Sequence, residues 1–215
     1  MLFDDTTTVR PIRRERNRFG VIASVIGIGL IGLFSSRPIP QQATEPQAAK
    51  VPSSPKTATV ATVYDVLTRC RASLPEGERW RLAGTIHQES RRYGYDPLFV
   101  AAMIDVESSC KPTARGTHGA VGLIQIRPAT AKAMAAETGI PWRGDATLRD
   151  GALNVRIGIR YLWTLEERFD DPRIAIAAYN LGPTRVAQMS RHRARNAKYV
   201  QRVLGRYQDL VEQYS

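Results

Sequence analysis

Apolar residues recur every three to four positions through most of the chain from Ala61 onward, the period of helices that bury one face. The spacing predicts helices over 64–71, 78–93, 97–108, 129–138, 152–169, 172–180, 183–189 and 196–214. Within the fifth of these, Ile157, Tyr161, Leu162 and Leu165 share one stripe, as a core-facing helix needs. The third starts with Asp96 at the N-cap and Pro97 at the first helical position, then runs apolar to Glu107. Residues 115–126 carry several glycines and lack the period, and 121–126 are expected to form a short strand or hairpin. The fold class this predicts is mainly α, a compact helical domain over 60–215 with a short β-hairpin or loop and no internal repeat.

The N-terminal quarter has a different pattern. Arg10, Arg13, Arg14, Arg16 and Arg18 precede an uncharged apolar stretch over 19–36, 18 residues long and closed by Arg37. That is the short end of the roughly 17–25 residues that cross a bilayer. It exceeds the apolar core of about 7–15 residues in a cleaved signal, and Phe34-Ser35-Ser36 does not fit a small-x-small cleavage site. An uncleaved transmembrane helix is therefore expected over 19–36, with a cleaved signal peptide as the alternative. The arginines would hold a basic tail over 1–18 in the cytoplasm and send the rest outward. Prolines at 38, 40, 46, 52 and 55, interleaved with glutamine, alanine and serine, predict a disordered tether over 37–59.

The formal net charge is +11, and 23 basic residues face 16 acidic ones from residue 61 onward, so the bias extends into the helical part. A polyanionic partner fits this charge, but an outward-facing domain argues against nucleic acid. His87, His118 and His192 show no metal-ligand spacing with the two cysteines, so neither metal nor cofactor is implied. His118 is expected to face solvent from a turn. Cys70 and Cys110 are the only cysteines, and in an exported domain they are a candidate disulfide, two separate buried thiols being the other reading.

Three motifs carry candidate chemistry: Glu107-Ser108 at a helix end, Gly122-Leu123-Ile124-Gln125 in the glycine-bearing segment, and Ala178-Tyr179-Asn180-Leu181-Gly182-Pro183. A carboxyl that follows an apolar run should be partly desolvated, and a proton donor active near neutral pH needs that environment. Asp105 cannot partner it from the same helix, because residues at i and i+2 face apart. In this order the motifs resemble the lytic transglycosylases of the soluble-transglycosylase type, relatives of goose-type lysozyme that cut bacterial peptidoglycan. The likeness covers roughly residues 78–207 and includes Asn154, Gly158, Tyr161 and Leu162 on an intervening helix. It departs where Ile124 replaces methionine, Lys111 asparagine and Gly116 a serine, whose hydroxyl Thr117 is the candidate to replace.

The resemblance implies a lysozyme-like α+β fold, Glu107 as the catalytic acid, and Ser108, Gly122, Leu123, Gln125, Ala178, Tyr179 and Asn180 around the substrate. It implies cleavage of the β-1,4 bond between N-acetylmuramic acid and N-acetylglucosamine, with formation of a 1,6-anhydromuramoyl end. Peptidoglycan glycan strands and the inner membrane are then the expected partners, with an envelope-spanning assembly a further one, and the domain would lie in the periplasm on a single-pass anchor. A hydrolytic muramidase using Asp145 or Asp150 from a nearby loop, and a non-catalytic wall-binding protein, are the alternatives. Gln125 can both donate to and accept from a sugar, or simply face water. Tyr179 can reach acid or substrate, or fill the core. Asn180 with Gly182-Pro183 reads chiefly as a helix end. Glu89-Ser90 repeats the first dipeptide but is followed by Arg91 and Arg92, which predicts an exposed, ion-paired glutamate. The basic run from Arg191 to Arg195, with Lys198, Arg202 and Arg206, reads as a solvated face or as a contact for anionic polymer.

Overall fold

A computed structural model describes residues 58–70 and 74–215. The expected cytoplasmic tail, the 19–36 span and most of the tether lie outside the described residues. The last two tether positions belong to the folded domain: Ala58 is buried in the core, and the Thr59 side chain caps the first helix through a reciprocal capping box with Thr62. Among the described residues no helix is long and apolar enough to cross a membrane.

The helices are α1 (Val60–Arg69), α2 (Glu76–Arg92), α3 (Pro97–Ser108), α4 (Pro128–Glu137), α5 (Asp145–Arg149), α6 (Gly151–Phe169), α7 (Pro172–Leu181), α8 (Pro183–Ala187), α9 (Arg191–Arg195) and α10 (Lys198–Tyr214). The eight expected helices correspond to α1–α4, α6–α8 and α10. The five-residue α5 and α9 were not expected, since such short turns carry too few positions to show a period.

Helix α3 runs through the main apolar core of the described residues. Leu98 through Ile104 are all buried, as expected for a helix that is apolar on every side. Each large side chain so enclosed, such as Phe99, Met103 or Ile104, contributes roughly 1.5–3 kcal/mol of transfer free energy. The helix starts where its sequence says, with the Asp96 carboxylate accepting from the Leu98 N–H and Pro97 in the first turn. It ends abruptly because Ser109 and Cys110 adopt left-handed backbone, φ 49° and 58°. Each such residue costs on the order of 1 kcal/mol.

Cys110 is joined there to Cys70 at the end of α1, across a sequence separation of 40. On chain-entropy grounds a loop of that size stabilises by about 4 kcal/mol, enough to hold the strained turn. Asp105 lies close to both sulfurs, but a disulfide offers no thiolate to a metal.

A smaller apolar cluster joins Val121 and Ile126 of the 110–127 loop to Ala131, Leu148 and Ile157, and Tyr161 packs against both this cluster and the main core. The strand or hairpin expected at 121–126 is reduced to two isolated antiparallel bridges, Arg115 with Val121 and Val121 with Ile126. The reason is local: His118, Gly119, Gly122 and Gln125 all have positive φ, so the chain turns too often for a ladder to extend.

Candidate active site

A cleft of about 320 Å³ opens between the two clusters. Glu107 enters it from the C-terminal turn of α3, Gly116, Thr117 and Gln125 from the loop, Arg127 and Thr130 from the start of α4, Tyr161 from α6, Tyr179 and Asn180 from α7, and Tyr199 and Arg202 from α10. Among the described residues, Glu107 is the only carboxyl-bearing one on its lining. Burial raises the Glu107 carboxyl from 4.5 to about 7, against the opposing pull of a hydrogen bond from Tyr199 and the positive charge of Arg202. Near neutral pH the group can therefore either give or take a proton.

Tyr199 is the residue that sequence reasoning missed. Its hydroxyl donates to Glu107 Oε1 at 2.5 Å, which leaves Oε2 as the oxygen free for proton exchange. The expected substitute hydroxyl, Thr117, lines the cleft but does not bond the carboxyl. A signal for Tyr199 does exist in α10. It shares the buried stripe with Val203, Tyr207 and Leu210, and a buried tyrosine needs an acceptor. Tyr199 finds Glu107 and Tyr207 finds Asp96, so two hydroxyls of α10 bond opposite ends of α3.

Burial and the charge on Glu107 push both Tyr199 and Tyr179 well above the ordinary tyrosine range, so both remain proton-bearing donors. Tyr179 spends its proton on the Ile124 carbonyl at 2.9 Å. It therefore holds the loop and presents its ring, which lies 5.3 Å from that of Tyr161, to the cleft. Gln125 is similarly committed. Its amide N–H groups donate to the Ala114 and Gly122 carbonyls at 3.1 and 2.8 Å, so only its oxygen can serve a ligand, as an acceptor. A Cβ at position 116 would stand 2.2 Å from that oxygen, so a larger residue there would have to displace the Gln125 amide.

Several motif residues support the cleft without lining it. Ser108 is buried with its hydroxyl donating to Ile104 in its own helix. Leu123 and Ala178 lie in the core. Gly122, at φ 88°, passes so close to α6 that a Cβ would sit 2.4 Å from the Asn154 amide. Asn154, fully buried, accepts from the Ile124 N–H at 2.9 Å and donates to the Val121 carbonyl at 3.0 Å, so it pins the loop to α6. Asn180 is exposed at the rim. His118 is exposed in its turn.

Asp145 and Asp150, candidates for a second acid, are engaged elsewhere. Asp145 pairs with Arg115 and Arg149, and Asp150 caps α6 while pairing with Arg81. Asp105 is held by Arg206 at 2.6 Å. Glu89 corrects an expectation: it is ion-paired as anticipated, with Arg156 and Arg92, yet it is buried rather than exposed.

The transglycosylase SLT domain family model matches residues 84–201, more than half of the chain and every cleft-lining residue except Arg202. The chain belongs to this family. The SLT domain is 39% identical over 90 residues to the soluble lytic murein transglycosylase of Salmonella typhimurium, covering 41% of this chain and 14% of that protein. It is 35% identical over 109 residues to membrane-bound lytic murein transglycosylase C of Haemophilus influenzae, covering 45% of this chain and 30% of that one. The lytic transglycosylase Slt of Pseudomonas aeruginosa, solved as an inactive glutamate-to-glutamine mutant, superimposes with a TM-score of 0.54 at 29% identity, over 61% of this chain and 24% of that chain. The chain thus spans less than a third of the length of these relatives. What they share with it is the SLT domain and its helical fold.

Proposed function

We propose that the protein is a peptidoglycan lytic transglycosylase that cleaves the β-1,4 bond between N-acetylmuramic acid and N-acetylglucosamine and leaves a 1,6-anhydromuramoyl end. One observation carries this reading: among the described residues a single carboxyl lines the cleft, and burial keeps it available as an acid near neutral pH. Glu107 gives its proton to the glycosidic oxygen as the bond to C1 breaks. The carbonyl oxygen of the substrate's own acetamido group then closes on C1 and carries the positive charge, a substrate-assisted route that needs no second enzymic carboxylate. Glu107, now ionised, removes the proton from the 6-hydroxyl, whose oxygen attacks C1 and reopens the acetamido ring. The acid is regenerated without the entry of water.

The side chains divide the work. Tyr199 holds the acid by one oxygen, and Arg202 favours its ionised state after the first step. The free amide oxygen of Gln125 can accept from a sugar hydroxyl or acetamido N–H, while the rings of Tyr161 and Tyr179 give sugar faces an apolar surface. Cleavage by water, as in a muramidase, is disfavoured because Asp145 and Asp150 are engaged away from the cleft. The apolar 19–36 stretch suits a single-pass inner-membrane anchor that leaves the domain in the periplasm, where an oxidised Cys70–Cys110 pair is at home. Wall strands are the proposed partner, and an envelope-spanning assembly the proposed host.

Mass analysis of the fragments released from purified sacculi tests the reaction. The full chain in detergent should yield muropeptides one water lighter than hydrolysed ones. Products at the hydrolysed mass would overturn the lyase reading.

A further inference from the structure

A second pocket, of about 290 Å³, lies among α2, α4 and α6, apart from the catalytic lining. Three guanidinium groups converge on it, those of Arg92, Arg156 and Arg160, with two carboxylates, Glu89 and Glu137. Glu89 is buried at 6% exposure and pairs with Arg156 Nε at 3.2 Å and with Arg92 Nη1 at 3.9 Å. Glu137 receives Nε and Nη2 of Arg160 at 3.3 and 3.0 Å, and the same guanidinium lies 4.5 Å from the Trp163 ring centre. Each arginine is therefore held by one edge on a carboxylate or ring while other N–H groups remain for a ligand. Three positive charges against two negative ones leave the pocket one anion short of neutrality.

We infer that this pocket binds the carboxylate end of a peptide, and specifically a stem peptide of the glycan engaged in the catalytic cleft. The chemistry is that of arginine forks, which meet a planar carboxylate with two parallel hydrogen bonds. Tyr93 lines the pocket beside the arginines, and its ring packs on Trp163, which in turn backs the Arg160 guanidinium and so stands next to the proposed site. Helix α4 connects the two sites, with Thr130 lining the cleft and Glu137 the second pocket. Seven residues of helix rise about 10 Å, a span that about three extended peptide residues cover. A peptide attached to a sugar in the cleft thus has the length to reach these arginines. The choice of stem peptide rests on the cleavage reading above; the carboxylate site itself rests on the pocket.

The test titrates the full chain in detergent with N-acetyl-D-alanyl-D-alanine, with its C-terminal amide and with inorganic phosphate, following the Trp163 indole N–H signal, assigned through Trp163→Phe. The free acid should shift that signal saturably and bind at least about tenfold more tightly than the amide. Arg156→Gln, and Arg92→Gln at its more exposed position, should each weaken the acid by about tenfold with an unchanged circular dichroism spectrum. Glu107→Gln should leave binding unaltered. Equal binding of acid and amide, stronger binding of phosphate, or no saturable shift would each overturn the site. Loss of the lyase reading with acid-selective binding intact would remove the stem-peptide assignment and leave the carboxylate pocket standing.

Discussion

Glu107→Gln will reduce the release of fragments from sacculi by roughly 10³-fold or more, the scale expected when a general acid is lost. Glutamine has the same shape, and its amide oxygen can still accept from Tyr199, so the helix end and the cleft should persist. What disappears is the proton for the leaving oxygen and, in the second step, the base for the 6-hydroxyl. In the proposed route one group serves both steps, and among the described residues no other carboxyl lines the cleft to take over either role. Turbidity of a sacculus suspension, read beside the circular dichroism spectrum of the variant, checks this. A folded variant that clears sacculi at the parental rate would move the acid elsewhere.

The same substitution should make the protein more stable at pH 8, by roughly 1–3 kcal/mol after allowing for water that reaches the cleft. Burial raises the Glu107 carboxyl from 4.5 to about 7 in the folded protein, so between those values the folded state holds a proton that the unfolded state has released. Stability must then fall as pH rises through this window, and level off above it. Glutamine never ionises and escapes the penalty. The melting-temperature gap between variant and parent should widen from pH 5 to pH 8, with the other titrating groups cancelling because they are common to both. A gap that stays constant across this range would mean that the carboxyl is well hydrated. The cost is informative about function, since a carboxyl destabilised in its charged form is one poised to protonate a leaving group.

The position of this acid was legible in the sequence because the signals for it are local. Asp96 and Pro97 start α3, the unbroken apolar run through Ile104 buries it, and Glu107 follows at the end. The stripe on α6 was legible for the same reason: Ile157, Leu162 and Leu165 are buried, with Tyr161 at the edge facing the cleft. Periodicity reports which face of a helix is covered and says nothing about what covers it. Tyr199 therefore stayed hidden, 92 residues from the carboxyl it bonds.

The roles of Gln125 and Tyr179 were legible only as a choice between ligand contact and scaffold. The structure spends the Gln125 N–H groups and the Tyr179 hydroxyl on loop carbonyls, leaving an amide oxygen and a ring to face the cleft. Glu89 was misread because its partner Arg156 comes from α6, 67 positions away in the chain, and an ion pair of that kind allows burial that sequence neighbours alone would not suggest.

Shielded in the cleft, the Glu107 carboxyl keeps its proton near neutral pH. Carbon-13 NMR titration of the full chain labelled at glutamate side chains, with Glu107→Gln identifying the resonance, measures this directly. The structure predicts a midpoint of about 7, and a midpoint at the ordinary 4.5 would contradict it.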